Sequence, residues 1–129
     1  MARILMPLPS MDFDPTESAV PFRFLKQHGH EFVFATPDAK PAQADQRMID
    51  GNGLGILRPF FIADKNGRTA YAEMQKSAEF LSPIAYADIN IKSFDAILLP
   101  GGHAQGMKPY LESKRLQGLV AEHFSAEKP

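Results

Sequence analysis

Short apolar runs alternate along the chain with polar stretches that carry recognisable start and stop signals. Arg3 to Met6 reads as a strand, ended by Pro7-Leu8-Pro9-Ser10. In Asp14-Pro15-Thr16-Glu17, Asp is a good N-cap, Pro suits the first helical position, and Glu three residues after the cap completes a capping box. The helix that starts there places Val20, Phe24 and Leu25 on an apolar face, turns polar at Lys26, Gln27 and His28, and stops at Gly29. Glu31 to Ala35 is a second strand. Strand, helix and strand within about 35 residues predict a right-handed crossover joining parallel strands.

From Pro37 to Gly55 no period is sustained, which predicts a loop with one short helical turn. Leu57 to Ile62 is apolar, but Pro59 argues against a central strand. Asp64-Lys65-Asn66-Gly67 reads as a polar turn, and Thr69 as the cap of a helix running to about Phe80, with Tyr71, Met74 and Ala78 on one side. Pro83 to Ser93 is a connector with a short ordered turn near Asp88. Ala96 to Leu99 has the length of a fully buried strand, and Pro100-Gly101-Gly102 cannot extend it. From Lys108 a last helix carries Leu111, Leu116, Leu119, Val120 and Phe124 and ends near Ser125. The three strands are expected in the order second, first, third. Nothing later in the sequence can pair with the outer edge of Ala96 to Leu99, and an unpaired apolar edge invites association.

Composition narrows the chemistry. At 129 residues and 44% hydrophobic content, the chain fits one domain able to bury roughly two thirds of its unfolded surface. Net charge is −1, from 14 basic and 15 acidic residues well mixed, so nothing marks a nucleic-acid or anionic-membrane surface. Without cysteine, disulfides and thiolate metal sites are excluded, and the chain itself supplies no cysteine nucleophile. The run from Ile4 to Leu8 is too short and proline-broken for a signal peptide or a membrane span, which predicts a cytoplasmic protein.

The candidate site follows the third strand. Ligands of open α/β sheets bind outside the carboxyl ends of the strands, so Gly101, Gly102 and His103 would present backbone amides to a site. Each has a plainer reading: the glycines as a turn, His103 as a loop histidine, Glu17 as a capping residue. Other motifs compete. Asp12-Phe13-Asp14-Pro15-Thr16 matches the DxDxT nucleophile motif of haloacid-dehalogenase-type phosphatases, but Pro7 to Met11 separates it from the strand end, and Asp14 is better used as an N-cap. Gly51-Asn52-Gly53-Leu54-Gly55 lacks the preceding strand and following Lys-Ser or Lys-Thr of a nucleotide cradle. His28 and His30 have no further metal ligands nearby.

FDAILLPGGHAQGMKPYLESKRLQGLVAEHF, together with Glu17 in DPTESAVPFRFLKQHGHEFVFATPD, closely resembles the ThiJ/PfpI proteins of the class I glutamine amidotransferase-like superfamily. The similarity is weakest from Ala39 to Ser93. The GGH form of the loop with an insertion before it resembles the branch of glutathione-independent glyoxalases and heat-shock chaperones. The resemblance implies a flavodoxin-like, doubly wound parallel sheet with helices on both faces, in a partial single domain at 1–129 with an insertion at about 39–93, ending before the strand that carries the family's nucleophile elbow. It implies that Glu17 is the carboxyl that tunes the cysteine, Gly102 an oxyanion-hole amide, and His103 an edge of the pocket.

The functional expectation is therefore the N-terminal portion of a cysteine-dependent enzyme. It would convert small reactive carbonyls, as in methylglyoxal to lactate, or hydrolyse amides or peptides, and would be inactive without the cysteine. It calls for no cofactor and no metal. Its partners would be a small carbonyl or amide substrate and a second copy, bound through the exposed sheet edge. The alternatives are a non-enzymatic stress chaperone or interaction module and, less favoured, the phosphatase.

Overall fold

A computed structural model describes residues 1–129. Strands β1 (Arg3–Pro7), β3 (Glu31–Thr36) and β6 (Ala96–Ile97) lie in the expected order, with β1 between the other two and all pairs parallel. A fourth strand, β5 (Ile84–Ala85), pairs with the far side of β3 through Ala35 and Thr36. Its two residues, directly after a proline, carry no alternation that would distinguish them from a connector. A separate two-stranded sheet joins β2 (Met11–Phe13) to β4 (Gln43–Ala44), both also hidden in stretches read as loop.

Helix α1 (Pro15–Gln27) starts as its capping signals require: Asp14 Oδ1 accepts from Thr16 N at 2.7 Å and from Glu17 N at 3.0 Å. Its buried face drives Phe22 between Phe32 and Phe34, with ring centroids 5.0 and 5.4 Å away. Burying an aromatic side chain of this kind stabilises by about 1.5–3 kcal/mol. The core continues through Leu5, Met6 and Phe13 to Tyr71 and Phe80.

The segment read as loop with one helical turn contains β4 and α2 (Gln46–Asp50), capped by Asp45. Pro59 lies in a helical turn, α3 (Arg58–Phe61), consistent with its exclusion from a strand. The helix expected from Thr69 to Phe80 begins earlier and is broken. Asp64 caps α4 (Lys65–Met74) by accepting from Gly67 N at 2.7 Å, and Ser77 caps a separate α5 (Ala78–Leu81). The polar turn at Asp64 to Gly67 is thus the first turn of the helix, because Asp serves turns and N-caps equally well. Helix α4 packs along α1, and the Tyr71 hydroxyl accepts from Ala44 N at 3.0 Å, tying β4 to it.

The last helix is also divided, into α6 (Lys108–Leu111) and α7 (Lys114–Ser125), with Ser113 as the second N-cap. Arg115 anchors α7 to the connector after β5, donating to Ile89 O at 2.9 Å. Full burial of Ala96 to Leu99 is not observed. Ala96, Ile97 and Leu98 are half-buried and Leu99 is 44% exposed. A parallel strand is buried only with neighbours on both edges. Leu98 N donates inward to Leu5 O at 2.9 Å, whereas Ile97 N donates outward to Pro129 O at 3.0 Å. The same oxygen lies 2.8 Å from His123 Nε2. No helix is long and apolar enough to cross a membrane.

Candidate functional site

The loop after β6 is clamped by the first turn of α1. Gly101 N donates to Glu17 Oε2 at 2.6 Å, and Gly101 O accepts from Asp14 N at 2.8 Å. The capping box is therefore only half formed. Asp14 caps the helix, but its own amide is taken by Gly101, and the Glu17 carboxylate turns to the loop instead. Glu17 is exposed.

The glycines are needed for close approach, since neither Gly101 nor Gly102 has a positive φ. A Cβ on Gly101 would stand 2.7 Å from Glu17 Oε2, and one on Gly102 would stand 2.6 Å from the backbone oxygen of Asp12. Gly101 N is occupied by Glu17, whereas the amides of Gly102 and His103 have no protein acceptor. The His103 side chain is exposed and unbonded.

Sequence reasoning missed a second anchor. Asp12 holds φ +73°, rare for a residue with a side chain, and its Oδ2 accepts from Gly106 N at 2.9 Å. It pins the far end of the same loop. The only available signal was that Asp tolerates the left-handed region better than most residues. Both carboxylates of the DxDxT motif are thus engaged with backbone amides. Of the other competing motifs, Gly51, Gly53 and Gly55 form a left-handed turn after α2. His30 Nδ1 accepts from Ala2 N, and the His28 ring bonds Phe24 O.

Two clefts flank the loop. The first, of about 520 Å³, is lined by Leu99, Gly101, Tyr110, Leu116 and Val120. Burial, reinforced by the charge of Glu17, raises the Tyr110 hydroxyl above the ordinary phenol range, so it stays neutral. The second, of about 570 Å³, is lined by Asp45, Arg47, Met48, Phe61, Ile62 and His103. The Arg47 guanidinium is held further toward its charged form by its hydrogen bond to, and the charge of, Asp45.

A profile of the family described as ThiJ/PfpI family-like matches residues 8–128. The chain belongs to that family. An uncharacterised protein of Schizosaccharomyces pombe is 32% identical over 120 residues, covering 91% of this chain and 43% of its own length. Among solved structures, a ThiJ/PfpI domain protein from Brachyspira murdochii superposes with TM-score 0.65 at 14% identity, covering 98% of this chain and 54% of that one. A DJ-1 superfamily protein from Agrobacterium tumefaciens gives 0.58 at 21% identity, with coverages of 99% and 50%. The Francisella tularensis rapid encystment protein gives 0.63 at 16% identity, with coverages of 99% and 56%. The ThiJ/PfpI fold is thus shared along this chain, which spans about half the length of the solved relatives.

Proposed function

We propose that this chain forms the N-terminal half-site of a ThiJ/PfpI-like enzyme acting on small reactive carbonyls, with amide or peptide hydrolysis as the alternative reaction. The carrying observation is the division of labour at the loop: Glu17 holds the Gly101 amide while the Gly102 and His103 amides stay open. Open amides suit an oxyanion, and one such donor lowers a barrier by about 3–4 kcal/mol when charge develops beside it. The nucleophile is a thiol from sequence outside residues 1–129, seated at the first cleft beside Gly101 and Tyr110. Glu17 tunes that thiol's protonation, Gly102 receives the developing negative charge, and His103 edges the pocket.

The test is conversion of methylglyoxal to lactate, alongside peptidase activity, by the protein at the full length of its relatives. We expect turnover with the cysteine present, none from residues 1–129 alone, and a kcat lower by about a hundredfold or more for Gly102→Pro than for Gly102→Ala, which carries the same Cβ but keeps the donor. Failure of a cysteine-bearing full-length protein in both assays would overturn the reading.

The partly exposed outer flank of β6, with Leu99 at its end, favours a second reading as a chaperone or interaction module that dimerises through this edge. Suppression of aggregation by the isolated chain, abolished by Leu99→Glu, would support it, and unchanged suppression would refute it.

A further inference from the structure

The second cleft has a built polar wall. Asp45, 4% exposed, caps α2 and grips Arg47 with both carboxylate oxygens, Oδ1 accepting from Nε at 3.1 Å and Oδ2 from Nη2 at 3.0 Å. A guanidinium held side-on by a buried carboxylate has already lost its rotational freedom. Its Nη1 group and second Nη2 hydrogen have no protein acceptor, a planar pair of donors that matches a carboxylate. The Asp45–Arg47 pair is neutral as a unit, so recognition here rests on directed donors more than on net charge.

The rest of the lining is mostly apolar. Met48, Leu57, Phe61 and Ile62 also line the cleft, and Leu57 and Phe61 are 50% and 56% exposed, large apolar surfaces that gain from being covered. His103 joins this cleft to the loop with the open amides. A volume of about 570 Å³ lies in the usual range for pockets that take whole organic molecules, and a three-carbon compound would leave most of it empty.

We infer that this cleft binds a small carboxylate with an aromatic or branched aliphatic body, its carboxylate on Arg47 and its body against Met48, Leu57, Phe61 and Ile62. As a substrate site this rests on the proposed function, because the reacting carbonyl would then project past His103 toward the Gly102 amide. The binding itself requires no chemistry.

Calorimetry and amide NMR on the 129-residue chain, with hydrocinnamate, its neutral amide and acetate as probes, test it. Hydrocinnamate should saturate with Kd near or below about 1 mM and shift the resonances of Met48, Ile62 and His103. The neutral amide and acetate should each bind at least about tenfold more weakly, the change expected for losing one charge-assisted hydrogen bond or the apolar body. Phe61→Ala, at a half-exposed side chain the fold does not need, should weaken binding by a similar factor. So should the paired Asp45→Asn, Arg47→Gln variant, which leaves no buried charge unpartnered. Equal binding of the neutral amide would overturn the carboxylate assignment, and equal binding of acetate the apolar one. Shifts confined to Leu99 and Val120, or no saturation by about 10 mM, would overturn the site. Hydrocinnamate binding without turnover by the full-length protein would refute the proposed reaction and leave this site standing. Methylglyoxal turnover without hydrocinnamate binding would do the reverse.

Discussion

Gly101 is held at both ends of its peptide unit, by the Glu17 carboxylate at its nitrogen and the Asp14 amide at its oxygen. Side chains added along this loop meet different kinds of neighbour. At Gly101 the obstacle is the end of the Glu17 side chain, which can swing away, whereas at Gly102 it is the Asp12 backbone, which cannot move without disturbing β2. Gly102→Ala should therefore destabilise by about 1–3 kcal/mol, and Gly101→Ala by less, as read by urea denaturation. Asp12 offers an internal check, because its positive φ and its bond to Gly106 N act in opposite directions. Asp12→Asn, which keeps an acceptor and tolerates the left-handed region, should stay within about 0.5 kcal/mol of the parent. Asp12→Val, which keeps neither, should cost about 2 kcal/mol or more. None of this was visible in the sequence, where Asp12 stood out only as part of a phosphatase-like motif.

At the scale of elements, the start of α1 was legible because Asp, Pro and Glu at fixed offsets act within a single turn. The start of α4 was misread for the converse reason: Asp64-Lys65-Asn66-Gly67 satisfies the local rules for a turn and for a capped helix at once. The two readings predict different mutants. Asp64→Ala should cost about 1 kcal/mol through loss of the bond to Gly67 N, while Thr69→Ala, at an exposed position inside the helix, should change stability by less than about 0.5 kcal/mol. Thermal denaturation of the pair distinguishes them. Strands β2, β4 and β5 have two or three residues each, too few for alternation to register, so their existence depends on the partners that tertiary packing supplies.

Across the whole molecule, Tyr71, Tyr86 and Tyr110 share one electrostatic consequence of burial, which holds each hydroxyl above its ordinary phenol value. Their contribution to stability is complete below pH about 10, the unfolded value. Above it the unfolded chain releases protons that the folded chain keeps, so stability must fall as pH rises. Urea midpoints should drop between pH 10 and 12 by more than surface titration alone produces, and Tyr86→Phe should flatten the decline. The α/β class, the capped first helix and the glycine loop after the third strand could be read from the chain, because each rests on periodicity or on contacts within a few residues, and the parallel pairing of β1 with β3 followed from the short strand–helix–strand crossover. What Glu17 does could not. The same carboxylate satisfies a capping box on paper, and only the arrival of Gly101, 84 residues away in sequence, takes the Asp14 amide and redirects the side chain to the loop. The Asp12 anchor at Gly106, 94 residues away in sequence, arises in the same way, from segments that meet only when the sheet has formed, and no local pattern encodes a meeting of that kind.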